Sequence, residues 1–280
     1  NLCKHFPGQV SAFDVTEENL KNAQSAGAMA QKSVADLTRN CGTIITMLPK
    51  GDHVCGVMRG PDGIFANAVP GSLLIDASTI DPNTSKDLSA EAAAANLTMV
   101  DAPVSGGVGG AANGTLTFMV GGTEEGVEMA TPVLMAMGKN VIHCGGAGTG
   151  STTKLCNNLA LAIQMIGTSE ALTLGESLGA DPAVLSSVMN TSTARCWSSD
   201  TYNPVPGVMD GVPSSNDYKG GFATALMEKD LGLAMAAAEG RAYTPLGSYA
   251  HEMYGRLLDE GFSDSDFSVV YKFLKDKNNS

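Results

Sequence analysis

Short apolar runs separated by amphipathic stretches fill the first half of the chain. Runs at residues 9–14, 43–48, 72–76, 98–101, 115–120 and 141–144 predict strands. Residues 16–25, 84–95 and 124–137 predict helices between them. Strands alternating with helices argue for an α/β unit over residues 1–146, a Rossmann-like, doubly wound and mostly parallel sheet. In such sheets, ligands meet the loops at the carboxyl ends of the strands. The segments after Asp14, Leu48, Ser78 and Val104 are therefore the places to look for chemistry.

Near Gly148 the period changes. Residues 149–178 form one long run of helical periodicity, ended by Gly179. Asp181-Pro182 then reads as an N-cap followed by proline in the first helical position. Further helices are predicted at 223–238, 246–258 and 264–274, and residues 197–221, rich in Ser, Asn, Pro and Gly, as a long ordered loop. Residues 147–280 thus form a second, all-helical domain, and a cleft between the domains is the expected site.

Composition narrows the function. The chain has 280 residues and a net charge of −12, with no Lys/Arg cluster to meet phosphates, so neither nucleic acid nor an anionic membrane is expected as a partner. No apolar run approaches the roughly 18 residues of a membrane span. The six cysteines are scattered without a C-x-x-C pair and are expected to be reduced, buried small hydrophobes. The four histidines are equally dispersed, and no metal site is expected.

Several residues could carry chemistry. Asp14, at a strand end, serves either as a helix cap or as the acceptor for the hydroxyls of an adenosine ribose; no basic residue follows before Lys21, which favours NAD over NADP. The Gly-rich turn that accompanies such an acid stands about 20 residues earlier. Counting back from Asp14 passes the first residue, so either the chain is expected to lack its first strand and that turn, or the ribose reading is wrong. The glycines at 145–150 have the wrong spacing and read as a joint between domains. Lys154 and Asn158, at i and i+4, share one helix face. A partly desolvated lysine there could shuttle a proton, or the side chain could simply reach solvent. Asp101 to Gly107 leaves a strand for a Gly-rich stretch, either a plain loop or one that offers Ser105 and backbone N–H groups to a carboxylate. Lys229-Asp230 lies on a later helix.

Four segments taken in order, DAPVSGG (101–107), GTGSTTKLCNN (148–158), RCWSSDTYNPVPGVMDG (195–211) and LMEKDL (226–231), resemble the β-hydroxyacid dehydrogenases from end to end. The resemblance implies hydride transfer between a short 3-hydroxy acid and NAD, with 3-hydroxyisobutyrate favoured over tartronate or succinate semialdehyde as the related substrate. A non-catalytic scaffold is the rival from another class. The resemblance implies Lys154 as the catalytic residue with Asn158 in support, and Ser105, Gly106 and Gly107 on the substrate carboxylate. It implies Leu48, Pro49, His53, Thr79 and Lys229 along the dinucleotide and Asp14 on its ribose. His53 stands where relatives often carry Asn. A helical domain that also mediates a homodimer or homotetramer is implied, as is a mitochondrial matrix location in a eukaryote or a cytoplasmic one in a bacterium.

Overall fold

The computed structural model describes residues 1–278. The chain divides into two compact units, Asn1–Lys154 and Leu155 onward. The first opens with α1 (Leu2–His5), β1 (Ser11–Ala12), α2 (Glu17–Ser25), β2 (Met29–Ala30) and α3 (Val34–Thr38). It continues through β3 (Thr43–Thr46), α4 (Gly51–Met58), α5 (Ile64–Asn67), β4 (Leu73–Asp76), α6 (Pro82–Ala94) and β5 (Thr98–Asp101). A short β6 (Val104–Ser105), α7 (Gly107–Asn113), β7 (Leu116–Gly121), α8 (Glu124–Met135) and β8 (Gly138–Gly145) follow, and α9 (Thr149–Ser177) starts within this unit.

Strands β3, β4 and β5 are parallel neighbours, β7 runs antiparallel to β5 and β6, and β8 is parallel to β7. The sheet is therefore mixed. Strands β1 and β2 pair in parallel as a separate two-stranded sheet. All four residues of β4 are buried, as a strand covered on both faces requires. Its side chains alternate: Leu73 and Ile75 pack with Val100, Phe118, Val133 and Leu134 of β5, β7 and α8. Leu74 faces the other way, onto Val54 and Met58 of α4 and Leu88 and Ala92 of α6. Helices thus cover both faces, which is the Rossmann-like arrangement.

The regular elements of the second unit, among its described residues, are all helical. Beyond the body of α9 it contains α10 (Pro182–Thr191), α11 (Trp197–Asp200), α12 (Thr224–Ala238), α13 (Pro245–Asp259) and α14 (Val270–Asn278), with 3-10 turns at Pro213–Asn216 and Phe267–Val269. Met165, Met227, Leu231, Met253, Tyr254, Leu257 and Phe267 form its core. The Asp181 side chain caps α10 by accepting from the N–H groups of Ala183 and Val184.

Three expectations need correction. The Gly-rich stretch after Gly106 is helical, α7, and the loop at 197–221 contains both α11 and a 3-10 turn. That loop is pinned by a fully buried carboxylate: Asp266 accepts from the Tyr202 hydroxyl at 2.8 Å and the Phe222 amide at 2.8 Å. The cysteines are unpaired, but Cys3 and Cys156 are exposed and the other four only half-buried, with Cys41 and Cys55 packed at the edge of a core.

Candidate active site

The carboxyl ends of the sheet carry polar residues in register. Thr46 pairs with Asp76, Asp76 with Asp101, and Asp101 with Gly121 across four neighbouring strands. Both aspartates are buried. Asp76 Oδ1 accepts from Thr46 Oγ1 at 2.8 Å and from the Ser78 amide at 3.2 Å. Burial nevertheless pushes its pKa up to about 6. The Ser78 hydroxyl in turn accepts from the Leu48 amide at 2.9 Å. The segments holding Leu48-Pro49 and Ser78-Thr79 are therefore joined side by side beyond β3 and β4.

Asp101 does a different job. Its Oδ1 accepts from the Gly148 amide at 2.7 Å and its Oδ2 from the Ser151 amide at 2.8 Å, so one carboxylate satisfies two orphan donors at the start of α9. Burial raises its pKa, and these N–H donors, with the Ser151 hydroxyl, oppose the rise. Ser151 and Ser85 of α6 complete the contact, Oγ to Oγ at 2.9 Å. Only glycine fits at two positions here. Gly148 has φ +80 and a Cβ would stand 2.7 Å from the Pro82 carbonyl oxygen, while a Cβ on Gly150 would stand 2.7 Å from that of Asp101. The glycines at 145–150 thus join β8 to α9.

The cap fixes where α9 begins, and so where Lys154 and Asn158 sit on its second and third turns. Lys154 is 7% exposed and Asn158 2%, so the lysine does not reach solvent as a surface residue would. The Asn158 amide is oriented by a residue the sequence analysis did not single out as part of the site. Its Nδ2 donates to Asp230 Oδ2 at 2.6 Å, and its Oδ1 accepts from Asn157 Nδ2 at 3.1 Å. The other oxygen of Asp230 is 3.0 Å from Lys229 Nζ. Asp230 is 3% exposed, so this is a buried carboxylate serving both an amide and an ammonium. Its adjacency to Lys229 in the motif was the available signal.

Ser105 ends β6 and is half-buried; Gly106 and Gly107, both exposed, follow with φ 134 and 61 at the start of α7. Such backbone is open to glycine at no steric cost. Asp14 lies two residues beyond β1, where it takes hydrogen bonds from the Thr16 amide at 2.8 Å and from Asn19 Nδ2 at 3.2 Å. It closes an Asx turn ahead of α2, whose N-cap is Thr16 and which has no side-chain cap, and this does not exhaust a carboxylate's acceptor sites. His53 is exposed in the first turn of α4, and Thr79 is half-buried. No group of three or more His, Cys, Asp or Glu side chains able to hold a metal occurs among the described residues, and no helix among them is long and apolar enough to cross a membrane.

Comparison with known proteins agrees with this architecture. Residues 3–146 match the family described as the NAD binding domain of 6-phosphogluconate dehydrogenase, and residues 148–274 the family described as the NAD-binding domain of NADP-dependent 3-hydroxyisobutyrate dehydrogenase. The chain belongs to the β-hydroxyacid dehydrogenase family; it is an oxidoreductase that uses NAD. It is 50% identical to the mitochondrial 3-hydroxyisobutyrate dehydrogenase of Homo sapiens over 99% of this chain and 82% of that protein. It is 46% identical to an NAD-dependent L-serine dehydrogenase of Pseudomonas aeruginosa over 95% of this chain and 89% of that one. Among solved structures, Mycobacterium tuberculosis 3-hydroxyisobutyrate dehydrogenase with L-serine superposes with a TM-score of 0.91 at 40% identity, covering 98% and 93% of the two chains. The residues present fit a dinucleotide: adjacent parallel strands end in the joined segments around Leu48 and Ser78, where a doubly wound sheet receives one.

Proposed function

We propose that this protein oxidises 3-hydroxyisobutyrate to methylmalonate semialdehyde with NAD, a step in the breakdown of valine, and that Lys154 is its acid/base. The observation that carries this reading is the buried lysine one helical turn from Asn158, whose amide is held in one orientation by Asp230. NAD supplies the hydride acceptor. Lys154 takes the hydroxyl proton, and in the reverse direction its ammonium form stabilises charge on the carbonyl oxygen. Asn158 fixes the same oxygen. Ser105 and the backbone N–H groups of Gly106 and Gly107 hold the substrate carboxylate. Leu48, Pro49, His53 and Thr79 lie along the dinucleotide, Lys229 faces its reactive end, and Asp14 receives its ribose hydroxyls and disfavours a 2′-phosphate.

A second reading is favoured by the L-serine dehydrogenase relative and by the solved structure with L-serine. L-serine and 3-hydroxyisobutyrate share a carboxylate and a primary alcohol and differ in an ammonium against a methyl group at C2. A homo-oligomer, in the mitochondrial matrix of a eukaryote or the cytoplasm of a bacterium, fits either substrate. Steady-state kinetics with both acids, and with tartronate and succinate semialdehydes in reverse, separate the possibilities. We expect kcat/KM for 3-hydroxyisobutyrate to exceed that for L-serine by at least about tenfold, the scale on which a pocket discriminates small groups. A preference for L-serine, or for either semialdehyde, would overturn the assignment.

A further inference from the structure

We propose that Asp76 is a positioning residue for the dinucleotide, its carboxyl locking together the two segments, Leu48-Pro49 and Ser78-Thr79, that flank the cofactor. The inference rests on the cofactor assignment of those segments given above. It starts from an oddity of the sequence. Strand β4 is apolar and buried until its last residue, and that residue is an acid. Asp76 is 1% exposed, and its Oδ2 has no hydrogen-bond partner among the described residues. A carboxyl in such a place is costly unless the groups around it need an acceptor.

They do. The Leu48 amide donates to Ser78 Oγ, so that hydroxyl must send its own proton elsewhere. It stands close enough to Asp76 to favour the ionised carboxylate. Thr46, paired with Asp76 on the neighbouring strand, donates its hydroxyl to Oδ1, as does the Ser78 amide. The Thr46 hydroxyl and the Ser78 amide both donate to Asp76, and the Leu48 amide is tied to it through Ser78. An apolar residue would leave the Thr46 hydroxyl and the Ser78 amide without that acceptor and loosen the link that carries Leu48. An amide would keep one acceptor oxygen in the same shape. The arrangement holds two loops from neighbouring strands at a fixed spacing without any side chain reaching the ligand itself.

The test compares Asp76→Asn, Asp76→Leu and the milder Thr46→Val by calorimetric titration of NAD, by steady-state kinetics and by thermal melting. For the leucine variant we expect the Kd and KM for NAD to rise by about tenfold or more while kcat at saturating NAD stays within about threefold, since a loosened loop costs binding rather than the proton transfer. Asp76→Asn should recover most of the affinity, and Thr46→Val should fall between. If a folded Asp76→Leu protein binds NAD as wild type does, the inference fails. It also fails if kcat drops in step with melting temperature at unchanged KM, which marks a merely structural residue. Should the leucine variant not fold, Thr46→Val with unaltered NAD affinity overturns the inference on its own. Failure of the unmutated protein to bind NAD would instead overturn the cofactor reading on which it depends.

Discussion

Asp14 has two roles suggested by its position, helix cap and ribose acceptor. A strand-end acid caps the next helix as readily as it binds a ribose; here it does not cap α2 but braces the turn before it, accepting from the Thr16 amide and from Asn19. Asn closes the same turn as Asp, but it carries no charge to repel a 2′-phosphate. Asp14→Asn should therefore leave the melting temperature nearly unchanged while the preference for NAD over NADP narrows by about tenfold, about 1.4 kcal/mol. A wild-type protein that prefers NADP would contradict the assignment. The spacing of Lys154 and Asn158 placed them on one helix face but left a solvent-reaching lysine open; their assignment came from the resemblance, and their burial shows only in the fold. Asp230 was visible only as the neighbour of Lys229. Its role depends on a contact with Asn158 that spans 72 positions in the chain, which no local spacing encodes.

At the scale of elements, the central strands and the long helices were legible, since each buries a regular apolar pattern. β4 and β5 match their expected positions to within a residue, and α9 is the run predicted from 149. What escaped lies mostly between residues 29 and 67 and after Gly106. Helix α4 contains Gly51, Val54, Gly56 and Val57, poor helix formers, and is held by burial of Val54 and Met58, one turn apart. Helix α7 is nearly half glycine, and β6 has two residues, too few to show a period. The start of α9 depends on Asp101, far away in sequence. Asp101→Asn would turn an acceptor into a donor facing either the Gly148 or the Ser151 amide. We expect a cost of about 2 kcal/mol in unfolding free energy, the usual penalty for an unsatisfied buried donor. Denaturant titration reads it, and a midpoint equal to wild type would show that the cap contributes nothing.

For the molecule as a whole, the switch near Gly148 from alternating strands and helices to helices alone marked two units, because a sheet and a helix bundle impose different hydrophobic periods. The antiparallel place of β7 was not legible, since strand direction leaves no trace in a six-residue apolar run. Nor was the separate pairing of β1 with β2, each only two residues long. The chemistry assigned to the whole molecule converges on one buried amine. The most direct test is NAD-dependent oxidation of 3-hydroxyisobutyrate by Lys154→Ala beside the wild type. The account predicts a fall in kcat of at least about 10²-fold, the contribution of an acid–base group, with the Kd for NAD within about threefold of wild type. An alanine variant that turns over at the wild-type rate would contradict it.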